Sequence, residues 1–99
     1  MAGFRHVVMF TWVEGVTTLQ RRTVAERLSG LPAVIPEIKA YSLGEDVGIN
    51  EGNNDFVVVA DFANRDDYFV YRDHPTHRTV IKESITPIVA TRAAVQYEF

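Results

Sequence analysis

The densest run of side chains able to move protons is Tyr71-Arg72-Asp73-His74-Pro75-Thr76-His77. Imidazole titrates near neutrality and is the group best suited to general acid–base work. A nearby phenol can hold or polarise a carbonyl oxygen. On an unbroken helix His74 would face both Tyr71 and His77 at i±3, while Tyr71 and His77 would diverge. Pro75 argues against that helix, because proline suits a first turn and not an interior. The break leaves Tyr71 and His77 free to line one cavity. A structural reading stands beside the chemical one: His74 caps the helix that Pro75 begins, and His77 hydrogen-bonds a backbone carbonyl in the core. Two histidines at i, i+3 beside Asp73 also suggest a metal. Without a clear third ligand that is a weak site, and no metal is expected.

His6 opens the first strand on the same side as Val8, Phe10 and Trp12, by alternation. That set either lines the space between two sheets or sits under the helices. His6, Phe10, Trp12 and His74 are the candidate ligand contacts, and such walls favour a flat, apolar or aromatic compound. A buried, hydrogen-bonded His6 and plain core aromatics are the alternative. Asp61 lies in an otherwise apolar strand, so a cationic partner is expected, Arg92 or Lys39. Gly-rich phosphate loops, a Walker motif and a nucleophile elbow are absent, and no cofactor is expected.

The elements that position these residues read as follows. Residues 6–13 are β-branched and aromatic, a first strand. Thr17 and Gln20 have capping-box spacing, and Val24, Leu28 and Leu31 place an apolar stripe on the helix that follows, which Gly30 and Pro32 stop. Residues 38–47 form a second strand, Gly48 to Asn54 a turn, and residues 55–63 a third strand. Asn64 caps a helix with Asp66 and Asp67 in its first turn, carrying Tyr68, Phe69 and Tyr71. It restarts near His74-Pro75 and continues through Val80, Ile81, Ile85 and Ile88 toward Pro87. Residues 92–99 alternate as a half-buried last strand. The order is βαββαβ, the ferredoxin-like α+β plan, in which right-handed crossovers put both helices on one face of a four-stranded antiparallel sheet.

Ninety-nine residues without a linker or repeat imply one domain spanning 1–99. A net charge of −3 and a pI near 5.5 argue against nucleic acid and anionic membrane as partners. The chain has no cysteine, hence neither disulfides nor thiolate zinc sites. No run approaches a membrane span, and no secretory signal is evident, so a cytoplasmic location is expected.

Strands one and three are apolar on both sides: Val7, Met9, Thr11 and Val13 against the His6 set, and Val57 and Val59 against Phe56, Val58, Ala60 and Phe62. The helices cover one side only. Leaving the other wet forgoes about 1.5–3 kcal/mol per large side chain. A second copy of the chain, packed face to face, is the expected cover.

His6-Val7-Val8 with Phe10, Leu31-Pro32 before Ile35-Pro36, Gly44-Glu45-Asp46, Asp55, Asp61-Phe62, and Tyr71 with His74-Pro75-Thr76-His77 resemble the stress-responsive α/β-barrel (Dabb) family across essentially the whole chain. The resemblance implies a homodimeric α+β barrel in which two ferredoxin-like sheets enclose a space. It implies a stress-responsive protein, and together with the apolar and aromatic walls the expected function is the binding of a small apolar or aromatic molecule in the barrel or a helix-side cavity. A plant branch of the family implies the alternative, a cofactor-independent polyketide cyclase or isomerase. There the matches to the catalytic pair are Tyr71 and His77, with His77 taking a proton from carbon between two carbonyls and Tyr71 holding the oxyanion. Related barrels that are monooxygenases use an Asn, Trp and His combination. The single Trp on strand one does not reproduce it.

Overall fold

A computed structural model describes residues 3–99, so the first two positions of the expected domain lie outside it. The chain runs β1 (Phe4–Trp12), α1 (Thr18–Ser29), a 3-10 turn (Leu31–Ala33), β2 (Ala40–Glu45), β3 (Phe56–Phe62), α2 (Arg65–Asp73), α3 (Pro75–Val80), a π-helical turn (Ile81–Ile85) and β4 (Val89–Glu98). The four strands form one antiparallel sheet in the order β2-β3-β1-β4. The fold is the ferredoxin-like α+β plan, with the second helical arm in three short pieces.

Alternation decides the layers. Phe4, His6, Val8, Phe10 and Trp12 of β1 are all buried, as are Phe56, Val58, Ala60 and Phe62 of β3. They share one core with Val24 and Leu28 of α1, Tyr71 of α2, Val80 of α3 and Ile85 of the π turn. The His6 set therefore sits under the helices, not on the face left for a second sheet. Val7, Met9, Val57 and Val59 point to the uncovered face and are half-buried.

The helix starts follow their capping residues. Thr17 Oγ1 accepts from the Gln20 amide at 3.1 Å while Gln20 Oε1 accepts from the Thr17 amide at 2.9 Å. Asn64 Oδ1 accepts from the Asp67 amide at 2.9 Å. Leu31 leaves the α1 stripe, because the helix ends at Ser29, yet it is buried from the 3-10 turn. The turn between β2 and β3 uses Gly48 and Gly52 at φ 79° and 82°, where a side chain would be strained.

Three expectations need correction. Asp61 pairs with neither Arg92 nor Lys39 but with Arg5, through Nε–Oδ1 at 2.7 Å and Nη2–Oδ2 at 2.8 Å. The two are cross-strand partners in the β1–β3 register, which composition does not reveal. The last strand begins at Val89, three residues early, and is exposed from Ala90 onward instead of half-buried, as an edge strand reaching past the helical layer. The segment after Val80 is not a regular α-helix: the Thr86 amide reaches back five residues to the Ile81 carbonyl at 2.8 Å. Among the described residues no helix is long and apolar enough to cross a membrane.

Candidate functional site

The helical break builds the site. Pro75 has no amide to offer the Tyr71 carbonyl, and the Thr76 amide turns to His74 Nδ1 at 3.1 Å. His74, extended at φ −62° and ψ 132°, closes α2 and opens α3 at once. The Arg72 carbonyl has then lost its helical donor. His77 supplies a replacement, its Nδ1–H donating to Arg72 O at 3.2 Å. A carbonyl can only accept, so this bond puts the ring hydrogen on Nδ1 and leaves Nε2 as a lone pair. Burial holds the His77 imidazole below its ordinary pKa, against the opposing pull of the carbonyls.

The same bend lays the Tyr71 ring against His77, with centroids 4.0 Å apart. Tyr71 is buried, and its hydroxyl shares a hydrogen bond of 2.9 Å with Tyr41 on β2. Burial raises both phenols, Tyr41 to about 12 and Tyr71 further, so both are protonated at neutral pH.

Across the sheet, the Gln96 side-chain amide donates to His6 Nδ1 at 2.8 Å, which leaves hydrogen on Nε2. His6 is pushed down to about 4, by burial first and then by the charges of Arg92 and His77. Its ring lies 5.0 Å from that of Tyr68 and 6.3 Å from that of Tyr71.

These groups meet in a cavity of about 560 Å³ between sheet and helices. Its floor is His6, Val8 and Phe10 of β1 with Val58 of β3, and Leu28, Ile81 and Ile85 supply further apolar wall. Tyr71 and His77 both border it. Of the residues singled out in the sequence, His6, Phe10, Tyr71 and His77 come together here. His74 and Trp12 do not. His74 is half-buried and spent on its cap. Trp12 shares the face but lies further along the strand, stacked on Phe10 at 5.6 Å and packed on Phe56 at 5.7 Å. It borders a separate depression with Arg21, Glu45 and Asp55. Its indole nitrogen is buried without a hydrogen-bond partner among the described residues.

Sequence reasoning missed Tyr41, Tyr68 and the basic rim of Arg72, Arg78, Lys82 and Arg92. Only the rim left a trace: Arg78 and Lys82 are four apart on one helical run. Among the described residues no three His, Asp or Glu side chains converge as metal ligands.

A four-stranded antiparallel sheet with all helices on one face and a cavity between the layers defines the ferredoxin-like α+β class. A family model described as the Stress responsive A/B Barrel Domain, Dabb, matches residues 4–99, and the chain belongs to that family. It is similar to a dimeric ferredoxin-like protein of unknown function from Thermobifida fusca YX, with a TM-score of 0.91 and 45% identity over 99% of this chain and 92% of that one. A dimeric protein of unknown function and ferredoxin-like fold from Bacteroides fragilis NCTC 9343 gives 0.85 and 27% over 98% and 96% of the two chains. A hydroxynitrile lyase from Passiflora edulis gives 0.86 at 18% identity over 98% and 93%, a likeness of fold. No curated protein matches the chain.

Proposed function

We propose that this Dabb protein is a cytoplasmic homodimer that binds a small, largely apolar or aromatic molecule, one per protomer, in the cavity between its sheet and its helices. The observation that carries the reading is that cavity: about 560 Å³, walled by Val8, Phe10, Val58 and Ile85, with His6, Tyr71 and His77 converging on it. Apolar walls with a few convergent polar groups are the usual make-up of a ligand site, and the volume suits a compact organic molecule. The homodimer is supported by the uncovered Val7, Met9, Val57 and Val59, and by the dimeric state of the relatives from Thermobifida fusca and Bacteroides fragilis. A thermal-shift screen of aromatic and aliphatic compounds tests the cavity. Hits should stabilise the wild type and fail on Thr79→Trp, which crowds the cavity wall from an exposed position. Hits that stabilise both proteins equally bind elsewhere and defeat the reading.

A second reading is favoured by the His77 tautomer. A neutral imidazole with a free Nε2, against a phenol kept protonated, is a general base paired with a hydrogen-bond donor. In this reading the protein is a cofactor-independent cyclase or isomerase. His77 removes a proton from carbon activated by carbonyls, and Tyr71 stabilises the enolate oxygen. Turnover of a β-dicarbonyl substrate should fall about 10²–10⁴-fold in His77→Ala. Unchanged turnover in that variant removes catalysis from the account.

A further inference from the structure

The cavity has a charge pattern that a purely apolar ligand does not explain. Arg72, Arg78, Lys82 and Arg92, four of the ten basic residues, border it, and none of the thirteen acidic residues does. The chain as a whole is acidic, at −3. Arg72 is already satisfied, forking onto Asp73 at 2.9 and 3.0 Å and lying over the Phe69 ring. Arg78, Lys82 and Arg92 make no ion pair among the described residues.

These three arrive from different elements. Arg78 lies on α3 and Lys82 one turn on, so both belong to the helical wall. Arg92 comes from β4, opposite Phe10 in the register and hence on the floor side. Like charges gathered at an apolar opening repel one another, and among the described residues no carboxylate forms an ion pair with any of the three, although Asp73 lies near enough to feel the charge of Arg78. An anion entering the cavity would relieve that repulsion. His6, with its hydrogen on Nε2, and Tyr71, whose hydroxyl is shared with Tyr41, also border the cavity as neutral polar groups.

Resting on the cavity reading above, the geometry points to a ligand of defined polarity: an apolar or aromatic body carrying one oxyanion head, a carboxylate or a phosphate ester, with the body over Val8, Phe10 and Val58 and the head between Arg78, Lys82 and Arg92. Guanidinium groups favour such heads because their donors match two oxygens at once. Burial is what chiefly depresses both imidazoles, and the charges of Arg92 on His6 and of Arg78 on His77 add to it in the same direction, in keeping with a basic rim.

Titration calorimetry on the full chain tests this with three compounds on one naphthyl body and three on one decyl body: carboxylate, phosphate ester and primary amide. On at least one body an anion should bind at least tenfold more tightly than the amide, and the better anion identifies the head. Lys82→Gln with Arg92→Gln should close that gap. Arg22→Gln with Lys39→Gln removes the same charge away from the cavity and should leave the gap open. Equal affinity for anion and amide overturns the oxyanion head and leaves the cavity reading standing. So does a gap that survives the first double variant or closes equally in the second. If none of the six compounds binds, the cavity reading fails and the head fails with it.

Discussion

Tyr71 and His77 lie with ring centroids 4.0 Å apart although they are six positions apart in the chain. Six residues along a continuous α-helix turn through about 600°, which leaves the two side chains about 120° apart around the axis. Their contact is made by one extended residue, His74, between α2 and α3. The side chains that do chemistry in the second reading are thus placed by a backbone break, and the break is held by the histidines themselves.

His77→Ala removes the donor that satisfies the Arg72 carbonyl. The bond is only part-buried, so losing it should cost about 0.5–1.5 kcal/mol, and the urea midpoint should fall accordingly. His77→Asn keeps a donor and should recover part of the loss. If alanine and wild type share a midpoint, the imidazole does not hold the break.

His74 acts as an N-cap through Nδ1. Replacing a capping side chain with alanine costs about 0.5–2 kcal/mol, whereas asparagine, a strong N-cap, should be tolerated. The further expectation is local. His74→Ala should speed amide exchange at Thr76 and His77 more than in α1. Uniform acceleration over the whole chain would mean global destabilisation, not a lost cap.

Much of this was legible in the residues. Thr17 with Gln20, Asn64 with its two aspartates and His74 with Pro75 carry local signals, and each sits at the helix end where it was expected. Period-two alternation separated the His6 set from the Val7 set correctly, but alternation cannot say which set the helices cover. That depends on the handedness of the crossovers and on which helical stripes are more apolar. Register was likewise hidden. Arg5 meets Asp61 only because Phe4 pairs with Phe62, a relation that spans 58 positions of the chain. Alternation groups Trp12 with Phe10 by face, yet its position along the strand takes it out of the cavity. The contact of Tyr41 with Tyr71 joins an early strand to a late helix and has no sequence signature.

The histidines also set a pH dependence. His6 is lowered to about 4 in the folded chain, from an ordinary value near 6.5, and His77 is lowered too. A group whose folded pKa is depressed binds more protons when unfolded, so stability rises with pH across the interval between the two values. The contribution is complete above about pH 6.5 and is lost as pH falls toward 4, up to about 3 kcal/mol for His6 at 1.36 kcal/mol per unit. Urea midpoints measured from pH 4 to 7 should climb, and His6→Gln should flatten the climb. A wild-type profile that is flat below pH 6.5 would contradict a buried neutral His6.

The uncovered sheet face yields the last expectation. Val7 pairs with Val59 on β3 and with Val95 on β4, and Met9 with Val57 and Ala93, so one continuous apolar strip crosses three strands. Arg5 and Asp61 close it at one end as an ion pair, which makes that boundary polar without leaving a bare charge. Val59 lies beside Val7 in the strip, on an interior strand of the sheet, and is half-buried, and its side chain is outside the helix-side core. Val59→Lys should therefore spare the fold of the protomer while placing a charge where the second sheet would pack. An unpaired buried charge is strongly unfavourable, so the dimer should dissociate at micromolar concentration. Light scattering should give twice the chain mass of 11.2 kDa for the wild type and the chain mass itself for the variant, with circular dichroism unchanged. A wild type that already scatters as a single well-folded chain would show that the strip is tolerated in water, and the face-to-face pair would have to be abandoned.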